Sequence, residues 1–292
     1  MVMSKLEDFA IFILTHGRPD NVKTCRTLQR CGYTGRVYIV IDNEDKTADK
    51  YYENFGKENV IMFDKLAISK TFDEFDNFGD RRAIIYARNA CFDIAKNLGI
   101  AYFMQLDDDY SNFSFTEDEN GVFKQREIKN IDSIILSLIN YFDVDDRVLS
   151  IAFSQRGDFI GGGNNFGYKN GKYPFIKRKC MNSFICSTKR PFKFFGRINE
   201  DVNTYTRLGS VGNVFLTIPL ISINQATTQE SEGGMSDLYK MSGTYVKSFY
   251  TLICSPSFVC IRMMGVTHKR LHHFPIWSNA VPCIIDEKYK KK

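Results

Sequence analysis

The stretch AYFMQLDDDY, residues 101–110, carries a mostly apolar run straight into three consecutive aspartates. The run has the length and character of a strand covered on both faces. Like charges this close repel and are costly to dehydrate, so a purely structural chain avoids the arrangement or leaves it in a solvated turn. A bound cation would resolve the repulsion. If strand geometry persists through the triplet, Asp107 and Asp109 share one side and Asp108 takes the other.

Working outward, residues 9–14 (FAIFIL) and 37–41 (VYIVI) are further apolar runs of strand length. Between them Asp20 to Cys31 has helical spacing and ends at Gly32, which makes a β-α-β unit. A third strand is expected at 59–63 (NVIMF). A helix from about Asp80 to Leu98, closed by Gly99, then follows, with Ile84, Ala87, Cys91, Ile94 and Leu98 on one stripe. The acidic triplet therefore falls at the C-terminal end of a parallel strand, where ligands of open α/β sheets bind. Downstream, SFTEDENGVF reads as a turn or hairpin around Asn120-Gly121, and Glu127 to Phe142 as a helix. Strands are expected at 148–153, 183–187 and 214–223, with a Gly- and Asn-rich loop (GDFIGGGNNFGYKNGKYP) among them. A short helix from Glu200 to about Leu208 is bracketed by Asn199 as N-cap and Gly209 as stop. The reading is α/β in one unit over 1–292. A Rossmann-type half (1–110) joins a mixed-sheet half (111–287), and 288–292 form a disordered basic tail.

The 292 residues, 43% hydrophobic, allow a substantial core. The apolar stretch SFYTLICSPSFVCI is too short and too polar to span a bilayer. The N-terminus lacks the features of a signal peptide, so a cytoplasmic protein is expected. Eight cysteines without a CxxC pair point to reduced, mostly buried thiols. The net charge of +5 hides an asymmetry: residues 1–150 hold 19 Lys/Arg against 26 Asp/Glu, residues 151–292 hold 20 against 8. An acidic half joined to a basic half suggests one ligand held through a cation and another that is polyanionic. The basic clusters Lys177-Arg178-Lys179, KRPFKFFGR at 189–197 (Lys189, Arg190, Lys193) and HKRLHH at 268–273 interleave cations with aromatics, as nucleic-acid surfaces do.

This order of parts resembles glycosyltransferases of the GT-A type. More narrowly, FILTHGRPDN, IVIDNEDKT, NFGDRRAIIYARNACFDIAKNLGIAYFMQLDDDY, GGMSDLY…GTYVKSFY and LHHFPIWSNAVPCII are together similar to the phage and bacterial TET-associated glycosyltransferase family. The resemblance implies a nucleotide-sugar donor, a UDP-sugar above all, a divalent cation (Mn²⁺ or Mg²⁺), and a hydroxymethylated pyrimidine in DNA such as 5-hydroxymethylcytosine as acceptor. In the host cytoplasm of a phage, that acceptor would be phage DNA. It implies that Asp107 and Asp109 hold the metal on the donor's two phosphates, with Asp107 also reaching the ribose. Thr15, Gly17 and Arg18 would hold base and ribose, and Asp42 is similar to the acid that receives them. It further implies a third metal ligand near the C-terminus; His272 stands for the pair His272–His273, since strand alternation lets only one face the site and the residues do not choose between them. Asn199-Glu200-Asp201 is similar to the x-E-D element, which makes Asp201 the base and Glu200 a support for acceptor or sugar. Arg81 and Arg88, seven apart on one helical face, suit a pyrophosphate or an internal partner such as Asp107.

Two other readings compete. A nucleotidyltransferase would show a glycine-rich phosphate loop with a lysine near the first strand, which THGRPDN does not supply. A non-catalytic nucleic-acid-binding protein would fit the charge asymmetry and leave the acidic triplet unexplained.

Overall fold

The computed structural model describes residues 6–119, 122–155, 179–225, 235–264 and 269–280. Six buried residues, Phe9–Leu14, form the central strand β1. Alternation divides them: Phe9, Ile11 and Ile13 enter one core, while Ala10, Phe12 and Leu14 enter the other. A strand apolar on both faces is dictated by helices on both sides of the sheet. Around it the chain runs through α1 (Lys23–Arg30), β2 (Arg36–Asp42), α2 (Ala48–Phe55), β3 (Val60–Phe63), α3 (Lys65–Ser69), α4 (Ile85–Asn97) and β4 (Tyr102–Asp107). It continues through β5 (Tyr110–Glu119), β6 (Val122–Glu127), α5 (Ile131–Phe142), β7 (Val148–Gln155), β8 (Ser183–Ser187), α6 (Glu200–Ser210) and β9 (Val214–Gln225). Then come α7 (Met235–Cys254), β10 (Val259–Met264), β11 (Arg270–Pro275) and α8 (Trp277–Ala280).

Nine strands make one mixed sheet in the order β3-β2-β1-β4-β8-β7-β9-β5-β6, and β10-β11 pair as a separate hairpin. β1 lies parallel to both β2 and β4, whereas β8 runs antiparallel to β4. The chain moves outward from β1 to β3 and then returns to β1's other side as β4. This reversal opens a crevice between the C-terminal ends of β1 and β4. Leu28, Tyr51 and Ile131–Phe142 cover one face; Ile85–Ala95, Val202 and Tyr205 cover the other.

Five local expectations need correction. The helices expected from Asp20 and from Glu127 begin at Lys23 and Ile131, and Glu127 closes β6 instead. The helix expected from Asp80 begins at Ile85, because Asp80 accepts hydrogen bonds from the backbone and side chain of Arg82 and holds 80–84 as a loop. Arg81 sits in that loop and pairs with Glu44 (Nε–Oε1 2.8 Å), so it shares no helical face with Arg88. Gly209 does not stop its helix, which continues to Ser210. A Cβ there would lie 2.5 Å from the Ala280 carbonyl oxygen, so glycine is required by the close approach of α8. The loop 157–174, the Asn120-Gly121 turn and the tail 288–292 lie outside the described residues.

Candidate functional site

The loop after β1 joins the acidic ends of β2 and β4. Thr15 Oγ1 donates to Asp108 Oδ2 (2.6 Å), Arg18 N donates to Tyr51 Oη (2.8 Å), and Tyr51 Oη lies 2.8 Å from Thr15 Oγ1. An amide can only donate and a carboxylate accepts, so the polarity runs Arg18 N–H to Tyr51 O–H to Thr15 O–H to Asp108. The Arg18 guanidinium also reaches Asp108 Oδ1 at 3.0 Å. Gly17, at φ +71°, lets the loop turn so that its N–H meets Asp45 Oδ2 at 2.7 Å.

On the β2 side Asp42 is 4% exposed and already neutralised. His16 Nδ1 lies 2.8 Å and Lys65 Nζ 3.2 Å from its Oδ2. Burial pushes the Asp42 carboxyl up, but the His16 hydrogen bond and the Lys65 charge outweigh it and hold the pKa below the usual aspartate range. The hydrogen bond to Asp42 raises the His16 pKa against its own burial. Asp42 is thus committed inside the protein, and the half-exposed His16 ring is what this corner presents outward.

The β4 side is the opposite. Strand geometry ends at Asp107, so the expected alternation stops there and Asp108–Asp109 form a turn. Arg88 is 2% exposed and bridges two carboxylates: Nη2 to Asp107 Oδ1 at 3.1 Å, and Nε to Glu200 Oε1 at 2.9 Å. Its guanidinium lies 4.7 Å from the Phe184 ring centre, and Nη1 is buried without a hydrogen-bond partner among the described residues. Arg88 is therefore an internal pillar joining the acidic triplet to the Asn199–Asp201 element. Burial pushes Asp107 up to about 6 in spite of Arg88, with Asp109 adding to the rise. Burial likewise raises Asp108 and Asp109, and lifts Glu200 to about 7. Asp109 Oδ1 is buried with no hydrogen-bond partner among the described residues.

An under-neutralised pair of hard oxygen donors, one with an orphaned buried oxygen, fits Mg²⁺ or Mn²⁺. No three His, Cys, Asp or Glu side chains among the described residues converge to hold a metal. A cation there would take two carboxylates and complete its shell from substrate phosphate and water, the usual Mg²⁺ pattern.

His272 does not supply the expected third ligand. It lies on the outer side of the hairpin with Nδ1 against the His273 carbonyl oxygen. His273 turns inward, 3% exposed, with Nδ1 3.5 Å from Asn199 Nδ2. Burial, with Lys179 nearby, lowers His272 to about 4 and His273 to about 2. Asn199 occupies the N-cap position but does not cap with its side chain. Its Nδ2 donates instead to Lys247 O and Thr251 Oγ1, both at 2.7 Å, tying the Glu200-Asp201 turn to α7. Asp201 Oδ1 accepts from Val202 N at 2.8 Å, and Oδ2 has no hydrogen bond among the described residues.

The basic cluster at 189–193 lies elsewhere. Tyr102, the first residue of β4, pairs with Ser187, and Thr188 N donates to Ala101 O. Lys189 and Arg190 therefore sit at the end of β4 opposite the aspartates, on the order of 20 Å away at strand rise. Arg190 is not a free cation: its Nη atoms donate to Phe142 O and Asp145 O, both at 2.8 Å, closing the C-terminus of α5. Lys193 Nζ meets Thr71 Oγ1 at 3.2 Å. Lys177 and Arg178 lie outside the described residues; Lys179 is half-buried near the histidine pair.

The family model for TET-Associated Glycosyltransferase matches residues 9–234. The chain belongs to that family. No curated protein matches. Among solved structures, glucosyl-3-phosphoglycerate synthase from Mycobacterium tuberculosis in complex with Mg²⁺ and uridine diphosphate is 11% identical, covering 94% of this chain and 92% of that one at a TM-score of 0.45. The same enzyme with Mn²⁺ and UDP-glucose gives 9% identity, 94% and 91% coverage, and 0.46. S. aureus TarS 1-349 gives 12% identity, 73% and 59% coverage, and 0.36. With TM-scores below 0.5, the family match carries the assignment. Among the described residues, no helix of this chain is long and apolar enough to cross a membrane.

His16 and Lys65, which close on Asp42, were not singled out from the sequence, and Asp108 was expected on the side away from Asp107 and Asp109. His16 stands inside the quoted THGRPDN, so its place after β1 was the available signal.

Proposed function

We propose that this chain is a metal-dependent glycosyltransferase that moves a sugar from a nucleotide-sugar to the hydroxyl of a hydroxymethylated pyrimidine in DNA, with a UDP-sugar the first donor to test. The observation that carries the reading is the gathering of Asp107, Asp108 and Asp109 at the β1/β4 crevice, with one buried Asp109 oxygen lacking a hydrogen-bond partner among the described residues. Asp107 and Asp109 would hold the divalent cation, which supplies positive charge against the departing diphosphate.

The chain's own groups then divide the work. Arg18, anchored on Asp108 and with Nε unpartnered among the described residues, lies beside the triplet to steady the diphosphate. Thr15, Gly17 and His16 form the loop on which base and ribose rest. Asp42 acts through His16 rather than by direct contact. Glu200 holds Arg88, and Arg88 holds Asp107. Asp201, whose Oδ2 has no hydrogen bond among the described residues, takes the proton of the acceptor hydroxyl as that oxygen attacks the anomeric carbon and the diphosphate departs.

The test is incubation with Mn²⁺, single nucleotide-sugars and hydroxymethylated DNA, followed by mass spectrometry of the released nucleosides. A hexose increment on the hydroxymethylated base is expected. Nucleoside diphosphate released with no change in the DNA would mean that the acceptor is wrong. No release from any nucleotide-sugar would remove the enzymatic reading.

A further inference from the structure

We infer that the β10–β11 hairpin is the DNA-binding surface of this protein, gripping the phosphate backbone beside the acceptor base. This inference rests on the proposed DNA acceptor and adds the place where it docks.

The antiparallel register pairs Met264 with Arg270, Arg262 with His272 and Cys260 with Phe274. Opposed residues of an antiparallel pair share a face, so these six form one surface of the ribbon. On the other surface Val259, His273 and Pro275 are buried and Ile261 and Leu271 half-buried, while Met263 is 58% exposed. That surface is pinned to α7, where Ser248 Oγ donates to Leu271 O at 3.1 Å.

The outward surface combines cations with an aromatic platform. Arg262 and Arg270 are exposed, as is Lys269 just before the strand. The Arg262 guanidinium stacks on the exposed Phe274 ring at 4.1 Å. None of the three cations forms an ion pair with an acid among the described residues. Unneutralised cations beside an aromatic face complement a polyanion with stackable bases, and a two-stranded ribbon fits a nucleic-acid groove.

Position favours this surface over the cluster at 189–193. His273 on the inner side of the hairpin approaches Asn199, which immediately precedes the proposed catalytic acids. The hairpin therefore adjoins the place where the acceptor hydroxyl must lie, whereas Lys189 and Arg190 flank the opposite end of β4.

The test is DNA affinity across a salt series for wild type, for Arg262→Ala/Lys269→Ala/Arg270→Ala, and for Lys189→Ala/Lys193→Ala. The hairpin variant is expected to lower the log–log salt slope by about 0.9 per lost phosphate contact, hence by about 2 to 3, and the other variant to keep the wild-type slope. Arg262→Lys/Arg270→Lys should retain the slope, which separates lost charge from lost fold. Calorimetric binding of UDP with Mn²⁺ should be equal in all. A wild-type slope in the hairpin variant, with wild type modifying DNA, overturns the surface and leaves the proposed function standing. DNA bound through the hairpin but never glycosylated overturns the function and leaves the surface. A wild type without salt-dependent DNA binding overturns both.

Discussion

Two acidic strand ends flank β1, and they are in opposite electrostatic states. At the end of β2, Asp42 is enclosed by His16 and Lys65 and its pKa is held down. At the end of β4, Asp107, Asp108 and Asp109 share Arg88 and Arg18, and all three pKa values rise. One cluster brings its own counter-charge; the other is left short of it. The contrast teaches that sequence position alone does not separate a neutralised carboxylate from an under-neutralised one, because both follow an apolar strand. The local count of cations does.

The sharpest way to break the comparison is to remove one acid from each side. Asp109→Ala should reduce sugar transfer by at least 10²- to 10³-fold, the scale of a lost transition-state electrostatic contact, and abolish metal-dependent donor binding. Its thermal midpoint should hold or rise, because repulsion is relieved. Asp42→Asn should act the other way, costing about 3 to 5 kcal/mol of stability by stranding the buried Lys65. Steady-state assays and thermal melts read both, and equal loss of stability in the two variants would erase the distinction. Asp201→Asn keeps shape without basicity, so transfer should fall by about 10²-fold or more with donor affinity unchanged. A larger loss in Glu200→Gln than in Asp201→Asn, with donor affinity and thermal midpoint kept, would move the base to Glu200.

The two sides should also differ in pH dependence. For Asp107 the folded pKa of about 6 lies above the ordinary 3.8, so its contribution favours folding below pH 3.8 and is lost as pH rises through about 6. For Asp42 the folded pKa is depressed; its contribution is present above 3.8 and is lost as pH falls through the folded value. Between pH 4 and 6.5, metal-free Asp107→Asn should therefore show a smaller acid-side gain in thermal midpoint than wild type. Mn²⁺ should flatten the wild-type curve by favouring the ionised carboxylates. A midpoint independent of pH in metal-free wild type would contradict the raised pKa values.

Much of the fold was legible because its signals are local. The FAIFIL run became β1 as written, SFICS became β8 residue for residue, and the strand expected over 101–106 formed one residue later, over Tyr102–Asp107, running into the triplet. What escaped depends on distant partners. The His16–Asp42 and Lys65–Asp42 pairs close over 26 and 23 residues of sequence, and only the parallel register of β1, β2 and β3 brings them together. The 20-residue helix α7 was read as a bare apolar stretch, since its stability comes from packing on a hairpin that follows it. Arg88 was legible as a partner of Asp107, but its second bond, to Glu200, spans 112 residues.

The smallest effects extend the comparison from acids to cations. Lys189 and Arg190 are sequence neighbours of like charge, yet only Arg190 is committed inside the protein. Its guanidinium closes two carbonyls at the end of α5 and lies 4.4 Å from the centre of the Phe142 ring. Hydrogen bonds from a charged donor contribute about 1.5 to 3 kcal/mol, so Arg190→Ala should destabilise on that scale. Lys189 is exposed, and surface substitutions of this kind fall within about 0.5 kcal/mol. Urea titrations resolve the difference, and DNA affinity measured in the same proteins should be equal. If Lys189→Ala weakened DNA binding while Arg190→Ala left stability unchanged, the far end of β4 would be a ligand surface after all, and the division drawn from satisfied and unsatisfied charges would fail there.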